Sequence, residues 1–334
     1  MDLRPYILDK KQLDEGIRLI RRGDLNYQPF ILADDVEVGE GQNQHDDYRN
    51  VTAITDFNVY APRFNVGKRR PPSDAAYFRR CNQEYRDIYN YVADQICAHS
   101  AHPISNYTIG EIGCNAGLNL FNLAKRGAKA CYGYDWSDYT GLFQWMNGLL
   151  GTNVQFTRGV YDNLYHQFKG DAEVAEVDIM ISTVFTNHQC DPLQFLAFMC
   201  DRARKGVFLW ALIHSGIKDA CVLYTTEMAG DILGNDRPFP LSFYNGVVVS
   251  EPLLRVSLQY LGFDELQPIE KFVPSQAWDR FQEGFRMYYA RRTRDVKSAY
   301  WATRRQWQTM PPRSGQTKSN KVMNLYRSIR SKCQ

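Results

Sequence analysis

The stretch EIGCNAG, residues 111–117, lies between a short apolar run, YTI, and a leucine-rich run, LNLFNLA. Glycines between a strand and a helix let the backbone approach a ligand, and the helix N-terminus presents unpaired N–H groups. A dinucleotide-binding turn requires GxGxxG. Here Asn115 stands between Gly113 and Gly117, so the pyrophosphate fingerprint is broken. Glu111 precedes the first glycine by two positions. A carboxylate there repels a pyrophosphate and suits a ligand carrying an ammonium or sulfonium. Twenty-two residues after Gly113, Asp135 closes a second apolar run, KACYGYDW. An acid at that place can accept two hydrogen bonds from ribose hydroxyls, although on its own it reads equally as a helix-capping acid.

Two histidines could remove a proton from a bound acceptor. His188 follows the apolar run VDIMISTV, in TVFTNHQCDPLQFL, and His214 follows VFLWALI, in LWALIHSG. An imidazole titrating near neutrality suits a general base. Each also reads as a side chain bonded to nearby backbone. His102 and His166 read as surface or loop residues.

These groups converge only if a scaffold brings several strand ends together. From residue 107 onward apolar runs alternate with helical patterns: YTIGEIG, LNLFNLAKRGA, KACYGYDW, a helix capped by Ser137 or Asp138 and ending at Gly151, then NVQFTRG, VDIMISTV, DPLQFLAFMCDRARKG, VFLWALI, EPLLRVSLQYLGF and FRMYYARR. The near-continuous apolar run VDIMISTV suits a parallel strand covered on both faces. DPLQFLAFMCDRARKG reads as a helix with a capping Asp, an early Pro and a terminal Gly. The alternation predicts an α/β fold, a doubly wound, mostly parallel sheet with helices on both faces. Residues 1–73 read as an N-terminal extension with short strands in PFILADDVEVGEG and NVTAITDFNVYAP. KRRPPSD reads as a linker, and a long helix follows over 74–98. In that helix Tyr77, Arg79 and Arg80 are candidates for an anionic ligand group or for a solvated basic face. The connection over 214–246 is longer than an ordinary loop. It is a candidate cap on the acceptor side or a plain structural insertion.

With these residues in view, E-x-G-x-N-x-G followed by Y-D-W-S resembles the first motif and acidic loop of the class I S-adenosylmethionine-dependent methyltransferases, over roughly residues 105–292. The resemblance implies a seven-stranded Rossmann-like sheet, with S-adenosyl-L-methionine as cofactor. It implies that Glu111, Gly113, Asn115 and Gly117 flank the methionine part and sugar, that Asp135 holds the ribose, and that Trp136 packs on adenine. Asp162, in RGVYDNL, matches the acid that binds the adenine amino group, though it also reads as the cap of DNLYHQF. The stretch TNHQ is similar to the strand-four end of small-molecule methyltransferases, with Asn187 in place of the acid and His188 in its place. The D/N-P-P-Y tetrad of amino-methylating relatives is absent there, which favours oxygen or carbon as acceptor.

Composition sets the remaining bounds. Hydrophobic residues are 44% of the 334, enough for a core. No apolar run is long enough for a transmembrane helix, and the first residues lack a signal-peptide core. The eight cysteines form no CxxC pair, which reads as reduced thiols in a cytoplasmic protein without a zinc site. Residues 293–334 hold ten Lys or Arg and one acid, a charge of +9, so residues 1–292 carry −6 of the net +3. Within this tail NKVMNLYRSIRSK reads as a basic amphipathic helix. It suits an anionic membrane surface bearing a lipid-linked acceptor, an RNA, or simply solvent. Three functions follow: a small-molecule or glycan hydroxyl methyltransferase, peripheral at the membrane or not; an RNA methyltransferase docked by its tail; or a cofactor-binding scaffold without chemistry.

Overall fold

A computed structural model describes residues 1–21, 28–34, 36–38, 75–162, 167–186, 189, 191–224, 247–270, 272 and 285–294. Residues 1–295 form one compact unit. The basic tail beyond Arg294, the predicted strand over NVTAITDFNVYAP, and residues 225–246 of the long connection lie outside the described residues.

The helices are α1 (Lys10–Arg21), α2 (Ala75–His99), α3 (Leu118–Lys125), α4 (Thr140–Leu150), α5 (Pro192–Arg202) and α6 (Glu251–Tyr260). The strands are β1 (Phe30–Ala33), β2 (Val36–Val38), β3 (Thr108–Ile112), β4 (Ala130–Asp135), β5 (Val154–Asp162), β6 (Gln167–Gly170), β7 (Val177–Thr183), β8 (Ala203–His214), β9 (Val222–Tyr224), β10 (Val247–Ser250), β11 (Glu265–Ile269) and β12 (Phe285–Arg291). The expected α/β, doubly wound sheet is present. Its path is β11-β12-β8-β7-β3-β4-β5-β6, with β10 parallel to β8 and β9 antiparallel to β10. The five strands from β8 to β5 are parallel to their neighbours, and β12 runs antiparallel to β8. Seven long strands are thus extended to ten by the short β6, β9 and β10.

The direction of winding locates the functional edge. From β3 the chain passes through α3, β4 and α4 to β5 on one side. It then returns across β3 to β7, and through α5 to β8 on the other. The order reverses between β3 and β7, and in open α/β sheets ligands bind in the crevice outside the carboxyl ends of such a pair. All seven residues of β7 are buried, as its apolar run requires.

Three local expectations are corrected. The helix over DPLQFLAFMCDRARKG ends at Arg202, and Ala203–Gly206 already belong to β8. Arg204 and Lys205 are exposed there and reach Asp178 of β7 at 3.5 and 3.1 Å. A pairing across the sheet, not a helical turn, accounts for the basic residues. Neither Ser137 nor Asp138 is the N-cap of α4; Tyr139 is, while Asp138 Oδ1 accepts from Thr140 N at 3.1 Å. Among the described residues DNLYHQF is strand at both its ends, with Asp162 closing β5 and Gln167 opening β6.

The described parts of the first 38 residues share the core of the sheet. Leu3, Leu19, Ile20, Phe30, Leu32 and Val38 are buried with residues of α2, α3 and α4. Helix α2 packs beside α3. Arg126, at the end of α3, donates to Asp94 Oδ1 at 2.9 and 2.6 Å. Among the described residues no helix is long and apolar enough to cross a membrane.

The opposite edge of the sheet is tied by Asp178. Its Oδ2 accepts from Thr108 N and Thr108 Oγ1, both at 2.9 Å, and joins β3 to β7 and β8. Burial alone would raise this carboxyl. The bonds from Thr108 N–H, Lys205 and the Thr108 hydroxyl together outweigh it and hold the group below the ordinary carboxylate range. Asp178→Ala should lower unfolding stability by about 1–3 kcal/mol, measured by urea denaturation near pH 7. Because the folded pKa is depressed, the Asp178 contribution is full above the unfolded value. The gap between wild type and variant should shrink as pH falls below about 4.

Candidate functional site

The turn after β3 is built from backbone conformations that few residues adopt. Gly113, Asn115 and Gly117 have φ of 73°, 52° and 80°. A Cβ on Gly113 would lie 2.5 Å from the Phe185 ring, and one on Gly117 would meet the Phe143 ring. Asparagine tolerates the left-handed region better than most residues, which explains how Asn115 replaces a glycine.

Four consecutive N–H groups of this turn are satisfied inside the protein. Asn115 N donates to Asp135 Oδ2 (2.8 Å) and Ala116 N to Asn115 Oδ1 (2.8 Å). Gly117 N donates to Cys114 O (2.9 Å) and Leu118 N to Gln28 Oε1 (2.8 Å). One of these donors is turned onto the Asp135 carboxyl and the other three onto amide or carbonyl oxygens, so all four are already engaged within the protein.

Glu111 and Asp135 lie on the neighbouring strands β3 and β4. Glu111 pairs in register with Ile181 of β7 and Gly133 of β4, and is fully buried. Its Oε1 accepts from Asn119 Nδ2 (2.7 Å) and Thr183 Oγ1 (2.8 Å). Among the described residues its Oε2 has no partner, and neither has Asn119 Oδ1. Burial pushes the Glu111 carboxyl up to about 8, against the pull of its two hydrogen bonds and helped by the charge of Asp135. Asp135 Oδ1 accepts from Ser137 N at 3.0 Å. Burial raises this carboxyl to about 6, opposed by the N–H groups of Ser137, Asn115 and Trp136. Asp135 thus ionises first, and its charge then bears on Glu111. Burial and the two acids raise the Cys114 thiol well above its ordinary value, so it is no nucleophile.

The other wall of the crevice follows β7. Val184 has φ of 61°, an outlier for a β-branched residue, and its N–H donates to Trp210 O at 2.6 Å. Phe185 packs on Phe195 of α5 at 5.3 Å. Gln189 is buried, donates through Nε2 to Phe185 O at 3.2 Å, and leaves Oε1 without a partner. Asn187 and His188 lie outside the described residues.

Of the remaining predicted positions, Trp136 touches this cluster through its backbone N–H, which bonds Asp135. Trp136 is half-buried, and its carbonyl accepts from Arg158 Nε at 3.3 Å. Asp162 ends β5 and pairs with Lys169 of β6 at 2.6 Å. His214 ends β8 and is exposed, at the same edge of the sheet as the glycine turn. The side chains of Tyr77, Arg79 and Arg80 lie outside the described residues. Sequence reasoning missed Gln28, Asn119, Thr183 and Phe185. Asn119 alone carried a signal, as a polar residue inside the apolar first turn LNLF.

No family model and no curated protein matches the chain. Solved structures similar to it include magnesium protoporphyrin IX methyltransferase (ChlM) from Synechocystis PCC 6803 with bound SAH. That likeness has 16% identity over 74% of this chain and 100% of the other, at a TM-score of 0.44. The N-terminal domain of EvdMO1 with SAH bound shares 13% identity over 61% and 81% of the two chains, at 0.42. An O-methyltransferase family protein from Burkholderia thailandensis shares 9% over 64% and 61%, at 0.41.

The raised carboxyl of Glu111 has a measurable consequence. A folded pKa above the unfolded value of about 4.5 means that the native state holds the proton longer. Ligand-free stability should therefore fall as pH rises from about 4.5 to about 8 and level off above. In Glu111→Gln the part of this decline due to Glu111 should vanish, as read from urea midpoints across that range.

Proposed function

We propose that this protein transfers the methyl group of S-adenosylmethionine to a hydroxyl of a small molecule or a lipid-linked glycan. The observation that carries the reading is the buried Glu111 oxygen without a partner at the switch between β3 and β7. When Glu111 is ionised, this oxygen and Asn119 Oδ1 offer two acceptors and no donor. Such a pair fits an ammonium group and not a phosphate. An ionised Glu111 is costly while unpaired, and a cation bound beside it would restore the charged form.

The other residues fit the same cofactor. Asp135 binds three backbone N–H groups, and a carboxylate has about four acceptor sites, so a ribose hydroxyl can still be accepted. The glycine turn holds Asp135 through Asn115 N, so loop and ribose acid are set as one unit. In this reading Gly113 and Gly117 give backbone access to the methionine part and sugar, Trp136 packs on adenine, and Asp162 takes the adenine amino group. When bound, S-adenosylmethionine supplies a methyl carbon on a sulfonium that departs as a neutral thioether. The protein's share is then to orient the acceptor, exclude water and receive the hydroxyl proton. His214, at the end of β8, and His188 are the proposed proton acceptors. The buried Gln189 Oε1 offers a further hydrogen-bond acceptor in the crevice wall after β7.

A second reading rests on the tail, whose charge of +9 suits RNA. Its first residues are anchored, with Arg294 Nε donating to Asp264 Oδ2 at 2.7 Å. Removal of the residues after Arg294 should abolish a salt-sensitive RNA affinity if this reading holds. It should leave turnover of a small hydroxyl acceptor unchanged if the first one does.

Calorimetric titration tests the cofactor itself. S-adenosylmethionine should bind the wild type, and Asp135→Ala should weaken binding by about 10- to 150-fold, the cost of losing hydrogen bonds to a charged group. A folded wild type that takes up no heat would refute the methyltransferase reading.

A further inference from the structure

Gln28 lies two residues before β1, in the stretch expected to be a separate extension, and is 1% exposed. Its amide spans the glycine turn. Nε2 donates to Cys114 O at 3.1 Å, and Oε1 accepts from Leu118 N at 2.8 Å. Leu118 is the first residue of α3, and its N–H is one of the donors that a helix start leaves unsatisfied. The N-cap is Gly117, which has no side chain to cap with. Gln28 supplies that cap from ninety positions earlier in the chain.

The segment carrying Gln28 is fixed by independent contacts. Arg86 of α2 and Glu37 of β2 form an ion pair that is largely buried. Leu3 N and Ile31 O join the first residues to β1 at 2.8 Å. The turn, in contrast, holds three consecutive odd-numbered residues at positive φ, one of them Asn115. A turn of this shape relaxes when its restraints are removed.

We infer that Gln28 is a positioning residue of the cofactor turn, so that residues 28–38 are a working part of the site. The inference rests on the cofactor reading above. It acts through Cys114 and Leu118: with both ends of the turn held, Asn115 N stays on Asp135 and the acid stays aimed. Without Gln28 the turn samples other shapes, and a ligand binds only the fraction that remains competent.

The test titrates S-adenosylhomocysteine into wild type, Gln28→Met, Gln28→Glu and Asp178→Ala, with amide hydrogen exchange on the same ligand-free proteins. Gln28→Met keeps the volume and removes both bonds. It should bind about tenfold more weakly, ~1.4 kcal/mol, and exchange Leu118 N–H faster. Gln28→Glu keeps an oxygen for Leu118 and should fall between the two. Asp178→Ala loosens the far edge of the sheet and should bind as wild type does. Wild-type affinity in folded Gln28→Met overturns the inference and leaves the cofactor reading standing. If Gln28→Met does not fold, wild-type affinity in Gln28→Glu has the same force. An equal loss in Asp178→Ala assigns the effect to general stability and also overturns it. A wild type that binds no ligand overturns the cofactor reading, and unchanged Leu118 exchange in the Gln28 variants shows separately that Gln28 does not hold the turn.

Discussion

The hydrogen bond from Thr183 to Glu111 crosses the place where the sheet reverses its winding. The rest of the site depends on it. Strands β3 and β7 are adjacent in space but seventy residues apart in sequence, and the chain leaves them in opposite directions. No helix can cover the gap between their ends. A polar side chain from each strand must therefore meet inside the crevice, and one carboxylate oxygen is left over. The glycines then follow from crowding, since Phe185 and Phe143 occupy the space that a Cβ would need.

The electrostatics of the crevice are those of a site waiting for positive charge. Two carboxyls on the neighbouring strands β3 and β4 are buried, and burial raises both. A core built only for stability would replace them with apolar groups, since unpaired buried charge is costly. Val184 and Asn115 add backbone strain on the two walls. Raised carboxyls and strained backbone in one crevice are the physical marks of a binding site.

Much of this was legible in the sequence, for local reasons. The run VDIMISTV suited a covered strand, and the glycines of EIGCNAG between an apolar run and a helical one marked the turn, while the roles of Glu111 and Asp135 rested on the resemblance. Asn119 was missed, although a polar residue in an apolar first turn is a signal. Gln28 could not be read, because its partners are 86 and 90 positions away and nothing near it is patterned. The end of α5 was misread because Arg204, Lys205 and Gly206 look like a helix terminus. Their role is set by Asp178, on a neighbouring strand. The histidines show the limit differently: spacing placed His214 at a strand end, but a strand end says nothing about what the ring will touch.

The junction of α5 and β8 has a consequence for how such a chain can vary. The helix ends at Arg202 and the strand begins at Ala203, with no connecting loop. Arg292 closes the joint by donating to Cys200 O at 2.6 Å and to Ala203 O at 3.0 Å. An inserted residue there would shift β8 by one position against β7 and β12 and exchange its two faces, both of them buried over Gly206–Ala211. The joint therefore fixes the register of β8, and with it the point at which His214 emerges at the far end of the strand.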